Sequence, residues 1–272
     1  MSRVPRTRLI ALAVMVGLAA LTIGACQAAP ARPDLTDPKA ILAAAVTSTA
    51  AARTVRVDAT ADGTVSLDLL GMGTPSPIQL DGTTASADLD LANGDARTTF
   101  SAPGLLGLTG ELIALDGTSY LKSTLTGALY RVQPIGTDVP APSGQARDTV
   151  LKGLTDLLGD QRLTPVKGDD TPCGSTTCYR VDIALSPEDL AALGLGELQV
   201  PGGLPVPIQL PDLTAASIDL NVLVAKDTTR LTGVKMTADL GGGAGVATLD
   251  VSFSKWDEPV TITAPPADQL AQ

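Results

Sequence analysis

The sequence predicts an α+β fold: one large antiparallel sheet with a wet face and an apolar face, and a few helices packed on the apolar side. Period-two alternation of apolar and polar residues runs through most of the chain. Only three segments carry a helical stripe, and turn-forming residues separate the alternating runs.

The elements follow in chain order. Arg3, Arg6 and Arg8 form a basic patch, and Leu9 to Ile23 is then apolar apart from Gly17 and Thr22. That run is shorter than the ~20 residues a spanning helix needs. A basic start, a short apolar core and a small-residue exit describe a secretory signal peptide over residues 1–25. The exit Ile23-Gly24-Ala25-Cys26 resembles a bacterial lipobox, which implies that Cys26 becomes the first, acylated residue of the mature chain. The other reading is an ordinary signal cleaved near Ala25, with Cys26 incidental. Residues 26–36 are then a lipidated, Pro-containing spacer.

Asp37-Pro38 reads as N-cap and first helical residue. Ile41, Leu42, Ala45, Val46 and Thr49 form one helical face as far as Ala52. A second helix is expected over 145–158, with Val150, Leu151, Leu154, Leu157 and Leu158 as its stripe and Gly159 at its C-terminal cap. A short third helix follows Ser186-Pro187-Glu188-Asp189, with Leu190 and Leu193 inward. The strands carry Val65, Leu67 and Leu69; Ala87, Leu89 and Leu91; Val181, Ile183 and Leu185. They continue through Ile218 to Val224, Val234 to Leu240, and Ala247 to Phe253. Turns are expected at Ala61-Asp62-Gly63, Asn93-Gly94-Asp95, Asp116-Gly117 and Gly241-Gly242-Gly243. PSPIQLDGTTASADLDL (75–91) is echoed by PVPIQLPDLTAASIDLNV (205–222), which suggests an equivalent strand in each half of the sheet.

Composition limits the function. Three of the 19 basic residues lie in 1–25, so the remainder carries 16 against 29 acidic residues, a net charge of −13. Such a chain repels phosphate backbones, which argues against nucleic acid as a partner. Histidine is absent, which removes Ser–His and Cys–His nucleophile systems and His-ligated metals. Aromatics are only 2%, so the core is aliphatic.

About eleven strands at ~4.8 Å give a sheet roughly 50 Å wide. Three helices at ~10 Å cover roughly 30 Å. Either the sheet curls until its apolar face covers itself, or an aliphatic hollow remains between sheet and helices. A hollow of Leu, Val and Ala suits acyl chains, which need area and no hydrogen bonds.

Other motifs carry less. Ser252-Phe253-Ser254-Lys255 fits Ser-x-x-Lys, but in a strand the two side chains point to opposite faces. GGGAG (241–245) lacks the Lys-Ser/Thr of a phosphate loop. Asp88 and Asp90 lie on a wet strand face, short of a calcium loop. Trp256 reads as a plug at a strand end. No catalytic residue, metal or cofactor is expected. Cys173 and Cys178 flank a turn in an exported chain, so a disulfide is expected to pinch that hairpin. A metal there would need two further ligands.

In order along the chain, the lipobox, the spacer, the Asp-Pro helix, RTVRVDATADGTV (53–65), LIALDGTSYLK (112–122), TCYRVDIALSPEDLAAL (177–193) and VSFSKWDEPVTITAPP (251–266) resemble the LppX/LprA/LprF/LprG group of actinobacterial envelope lipoproteins. The resemblance runs over most of residues 35–266. It implies a strongly curved, U-shaped half-barrel with helices on the concave face. It also implies a multi-acylated lipid or glycolipid carried across the envelope, in some members beside a membrane permease. Residues 195–212, Pro/Gly-rich and apolar, depart from the pattern and leave the ligand open. One domain is expected over 37–266, with 267–272 as a tail. Val57, Leu89, Leu154, Leu157, Leu158, Ile183, Leu220 and Val222 are the expected cavity wall, each on the apolar side of its element. The chain is expected at the outer face of the cell membrane, anchored through Cys26. The alternative is a structural or adaptor lipoprotein with a filled core that supports an envelope transporter.

Overall fold

The computed structural model describes residues 34–67, 75–134, 163–192 and 215–271. Cys26, the helix expected over 145–158 with Leu154, Leu157 and Leu158, Leu193 and the segment 195–212 lie outside them. From Leu35 onward the chain forms one compact unit.

Helix α1 (Pro38–Ala50) starts where the sequence expects and stops two residues earlier than Ala52. Asp37 caps it, accepting hydrogen bonds from the amides of Lys39 and Ala40 at 3.3 and 3.1 Å. Ile41, Leu42 and Ala45 are buried, one face of a 3.6-residue repeat. Helix α2 (Pro187–Ala192) has a reciprocal cap. The Asp189 amide donates to Ser186 Oγ, and the Ser186 amide donates back to Asp189 Oδ2. That leaves Leu190 pointing inward, 1% exposed.

Among the described residues thirteen strands form one antiparallel sheet: β1 (Thr54–Leu67), β2 (Ser76–Gln79), β3 (Thr83–Asp90), β4 (Asp95–Ala102), β5 (Leu108–Leu115), β6 (Thr118–Ser123), β7 (Gly127–Pro134), β8 (Val166–Lys167), β9 (Thr171–Cys173), β10 (Thr176–Leu185), β11 (Ser217–Ala225), β12 (Leu231–Asp239) and β13 (Gly245–Ser254). The order β7-β6-β5-β4-β3-β1-β13-β12-β11-β10-β8 is open, with β2 paired to β1 and β9 to β10. Of the echoed segments, 75–91 spans β2 and β3, and the described part of 205–222 falls on β11.

The Ala61-Asp62-Gly63 turn does not form; β1 runs straight through it. At Gly63 the strand changes partners, from β3 (Thr54–Ala61) to β2 (Thr64–Leu67). The Gly63 amide donates to Asp81 Oδ1 and its carbonyl accepts from the Leu80 amide. Gly63 has φ +112, and a Cβ there would sit 2.2 Å from the Val246 carbonyl oxygen. The glycine serves the close approach of the paired strand β13, not a reversal. The Asp116-Gly117 reversal does form, with φ of 50 and 72, the geometry of a two-residue hairpin turn.

Register fixes the faces. Ile183 opposes Leu220, Leu220 opposes Met236, Met236 opposes Leu249, and Leu249 opposes Ala61. Directly opposed residues share a face, so one apolar face runs from β10 to β1. It continues through Val57–Ala87, Ala87–Thr98 and Thr98–Leu112.

The buried cluster sits at one flank. It is built of Ile41, Leu42 and Ala45 from α1, Leu190 from α2, Tyr179, Val181, Ile183 and Leu185 from β10, and Val222 and Val224 from β11, with Leu163 and Ala216. Leu35 packs on it, and the Leu35 amide donates to Tyr179 Oη at 3.0 Å. At the other flank, residues expected as a tail touch the sheet. Leu270 bridges to Tyr130, and the Ala271 amide donates to the Tyr130 carbonyl.

The Cys173–Cys178 disulfide is present, with Cα atoms 5.8 Å apart. It joins β9 to β10 across the Gly174-Ser175 turn, where Cys173 opposes Thr176. Thr232 Oγ1 lies 3.0 Å from Cys178 Sγ and donates to the Leu223 carbonyl at 3.2 Å.

Candidate functional site

The candidate site is the apolar face of the central strands. Val57, Leu89, Ile183, Leu220 and Val222 all lie on it by register. Their surroundings differ. Ile183 and Val222 are 6% and 7% exposed and belong to the buried cluster, while Leu220 packs on its margin. Val57 and Leu89 are half-buried. Sequence alternation finds the face but not which part of it is covered.

The half-buried part is continuous. Ala59, Ala61, Ala85 and Ala87 form its floor, with Ala59 opposite Ala85 and Val57 opposite Ala87. Met236, Leu249 and Val251 rise on one side, and Leu89, Leu112 and Leu121 on the other. Leu112 is 37% exposed. Methyl side chains between longer ones leave a trough of aliphatic area, interrupted on β4 by the Thr98 side chain. Among the described residues, α1 lies over β10 and β11 and α2 over β10, and the buried cluster takes no residue from β1, β3 or β13.

The opposite face carries paired polar and charged groups. Arg56 reaches Asp58 and Asp88, and Ser86 Oγ donates to Asp58 at 2.5 Å. The Ser86 hydrogen bond, helped by Arg56 and opposed by burial, holds the Asp58 carboxyl below the usual carboxylate range. Arg97 pairs with Glu111, which also accepts from Tyr130 Oη at 2.6 Å. Burial, then the hydrogen bond to Glu111 and its charge, push the Tyr130 phenol up to about 12. A groove of about 500 Å³ on this face is lined by Asp182, Asp219, Asn221, Lys235 and Thr237 among others. Asp182 is already engaged there by Arg180 and Asn221.

Other singled-out residues have structural roles. Trp256 donates from Nε1 to the Leu231 carbonyl at 3.0 Å, stacks on Phe253 and lies under Arg230. Ser252 sits in β13 and its hydroxyl donates to the Asp58 carbonyl at 3.4 Å, while Lys255 lies beyond the strand end. Asp257 accepts from the Arg53 amide at 2.7 Å and pairs with Arg230.

No protein-family model matches the chain, and neither does any curated protein sequence. Solved structures do. The lipoprotein LppX of Mycobacterium tuberculosis aligns at 16% identity, covering 83% of this chain and 98% of its own, with a TM-score of 0.50. LprF from Mycobacterium bovis aligns at 19% identity, covering 84% and 96%, with a TM-score of 0.50. The open antiparallel sheet described above is the fold of LppX and LprF, two members of the group that the sequence resembles.

Proposed function

We propose that this chain is a membrane-anchored lipoprotein that binds a multi-acyl lipid or glycolipid along its apolar face and carries it across the cell envelope. One observation carries the reading: an unbroken aliphatic trough from Leu89 to Leu249 that stays half-exposed beside a fully packed core. A continuous aliphatic patch left accessible to water marks a binding surface. Acyl chains fit it because each buried methylene contributes about 0.8 kcal/mol and asks for no polar partner. The alanine floor gives a chain room to lie flat. The polar head of the lipid then belongs at the margin of the face, against loops. A membrane permease is the partner the resemblance implies, and the site needs no catalytic residue, metal or cofactor.

The anchor is Cys26, after cleavage behind Ala25. Two acyl chains hold stably where one is marginal. Cys26→Ala is expected to shed the protein from the membrane or block its processing; a membrane fraction unchanged by the substitution refutes the anchor.

The lipid is tested by native mass spectrometry of protein from its own host, followed by solvent extraction. A co-purifying acylated species that is lost in Ala59→Trp supports the proposal. Lipid-free protein from the host overturns it. It would favour the structural or adaptor reading, which the tight packing around Ile183 and Val222 also favours for that flank.

A further inference from the structure

The β4–β5 and β6–β7 turns meet at one end of the sheet. The Thr124 amide donates to the Thr109 carbonyl at 2.9 Å, and the Thr109 amide donates to Thr124 Oγ1 at 3.2 Å. The paired tips present Leu106, 91% exposed, and Leu125, 56% exposed. No charged residue occurs in 98–110 or 123–130, in a chain where 18% of residues are charged. Leu106 is also held at φ 55, the left-handed region that a leucine disfavours. Its side chain gains almost no packing within the chain in return.

We infer that these two tips form a bilayer-docking element, with Leu106 and Leu125 entering the apolar margin of a phospholipid leaflet. Two observations select a bilayer as the occupant. The tips project as two uncharged points and offer no aromatic or arginine anchor of the kind that dominates protein interfaces. And the apolar face begins at their base, where Leu108 and Leu112 share one side of β5. A path without charge thus runs from the leaflet to the trough. An uncharged tip also suits an acidic chain, which an anionic surface would otherwise repel. The inference holds whether or not the trough carries lipid.

The test places a fluorophore on the tip. Leu106→Trp is made in the full chain as its host processes it; the only other tryptophan is Trp256, fixed to the Leu231 carbonyl. Neutral phosphatidylcholine vesicles containing acyl-brominated lipid are expected to quench the new fluorophore beyond the parent's background. Adding Leu125→Asp is expected to lower the quenched fraction about tenfold, since a leucine's buried carbons are removed and a charge replaces them. Leu125→Trp serves if Leu106→Trp does not fold by circular dichroism. Quenching absent from vesicles overturns the inference. So does equal quenching by a monomeric brominated lipid below its micelle concentration, which assigns the signal to a bound lipid. Protection only in native membranes assigns the tips to a protein partner and overturns it as well.

Discussion

On β10 the inward residues Tyr179, Val181, Ile183 and Leu185 are all buried, whereas on β3 the inward Ala85, Ala87 and Leu89 are all half-buried. Both strands alternate with period two, and both lie on the same face of one sheet. The difference is the cover: α1 and α2 lie on β10, and their Ile41, Leu42, Ala45 and Leu190 fill the space above it. Strand alternation therefore decides which way a side chain points, and packing from elsewhere decides whether it leaves water. A flank that is already filled cannot also be a ligand wall. The flank floored with alanine can.

The sharpest way to break this comparison is truncation on both flanks. Leu190→Ala or Ile41→Ala should cost about 2–5 kcal/mol, since each empties a site with no solvent to refill it. Leu112→Ala should cost under about 1 kcal/mol, because the residue is already partly in water. Chemical denaturation measures both, and equal losses would mean the two flanks are packed alike.

Filling is the converse experiment. Val222→Trp or Ile183→Trp should overpack the covered flank and cost about 1–3 kcal/mol or more. Ala59→Trp or Ala87→Trp should leave the unfolding midpoint near the parent's and reduce extractable lipid. If the trough variants unfold as the core variants do, the trough is packed and the proposed site is wrong.

Breaking the disulfide with Cys173→Ser and Cys178→Ser together should cost about 2 kcal/mol, as a small loop contributes little in the chain-entropy model. The loss should appear at the covered flank, read by amide exchange in β9 and β10, with β3 to β7 unchanged. Protection lost evenly across all thirteen strands would deny that the flanks respond separately.

The smallest effect belongs to Tyr130, on the uncovered flank. Its phenol is pushed from an ordinary value of 10.0 up to about 12. A raised value in the folded state favours the protonated form, so this contribution is whole below pH 10 and is lost as the pH climbs from 10 towards 12. Tyr130→Phe should cost about 1 kcal/mol near neutrality through the lost hydrogen bond to Glu111. It should also flatten the alkaline fall in stability between those limits, which thermal melts across that range would show. An unchanged alkaline profile would place the titration elsewhere.

Much of this was legible in the sequence, for reasons that differ by element. Asp37-Pro38 announces α1 because capping is local chemistry, and Ser186-Pro187-Glu188-Asp189 announces α2 for the same reason. The long strands are legible because alternation is a local consequence of the pleat. Ala61-Asp62-Gly63 misleads because a glycine required by a closely paired strand has the same sequence signature as one required by a reversal; only Val246, far along the chain, distinguishes them. The uneven burial of Val57 and Ile183 is illegible for a related reason. Each sits in an equivalent local pattern, and the helix that separates their fates packs on only one of them. The meeting of the tips at Leu106 and Leu125 is illegible, since sequence does not show that two turns come together.

The pairing of β1 with β13 sets the order in which this molecule can assemble. Arg56 lies opposite Ser254, and Thr54 Oγ1 donates to the Glu258 carbonyl, so the first and last strands of the sheet are zipped at its centre. On one side of that seam the strands β3 to β7 follow one another through neighbouring hairpins; on the other β11 and β12 do so, while β10 joins β11 across residues 186–216, which include α2. Each such run can form from nearby residues alone, but the seam must wait for the final strand. High sequence separation makes that closing step slow. Until residue 254 is in place the chain thus holds two half-sheets with bare edges, each open to pairing with another chain.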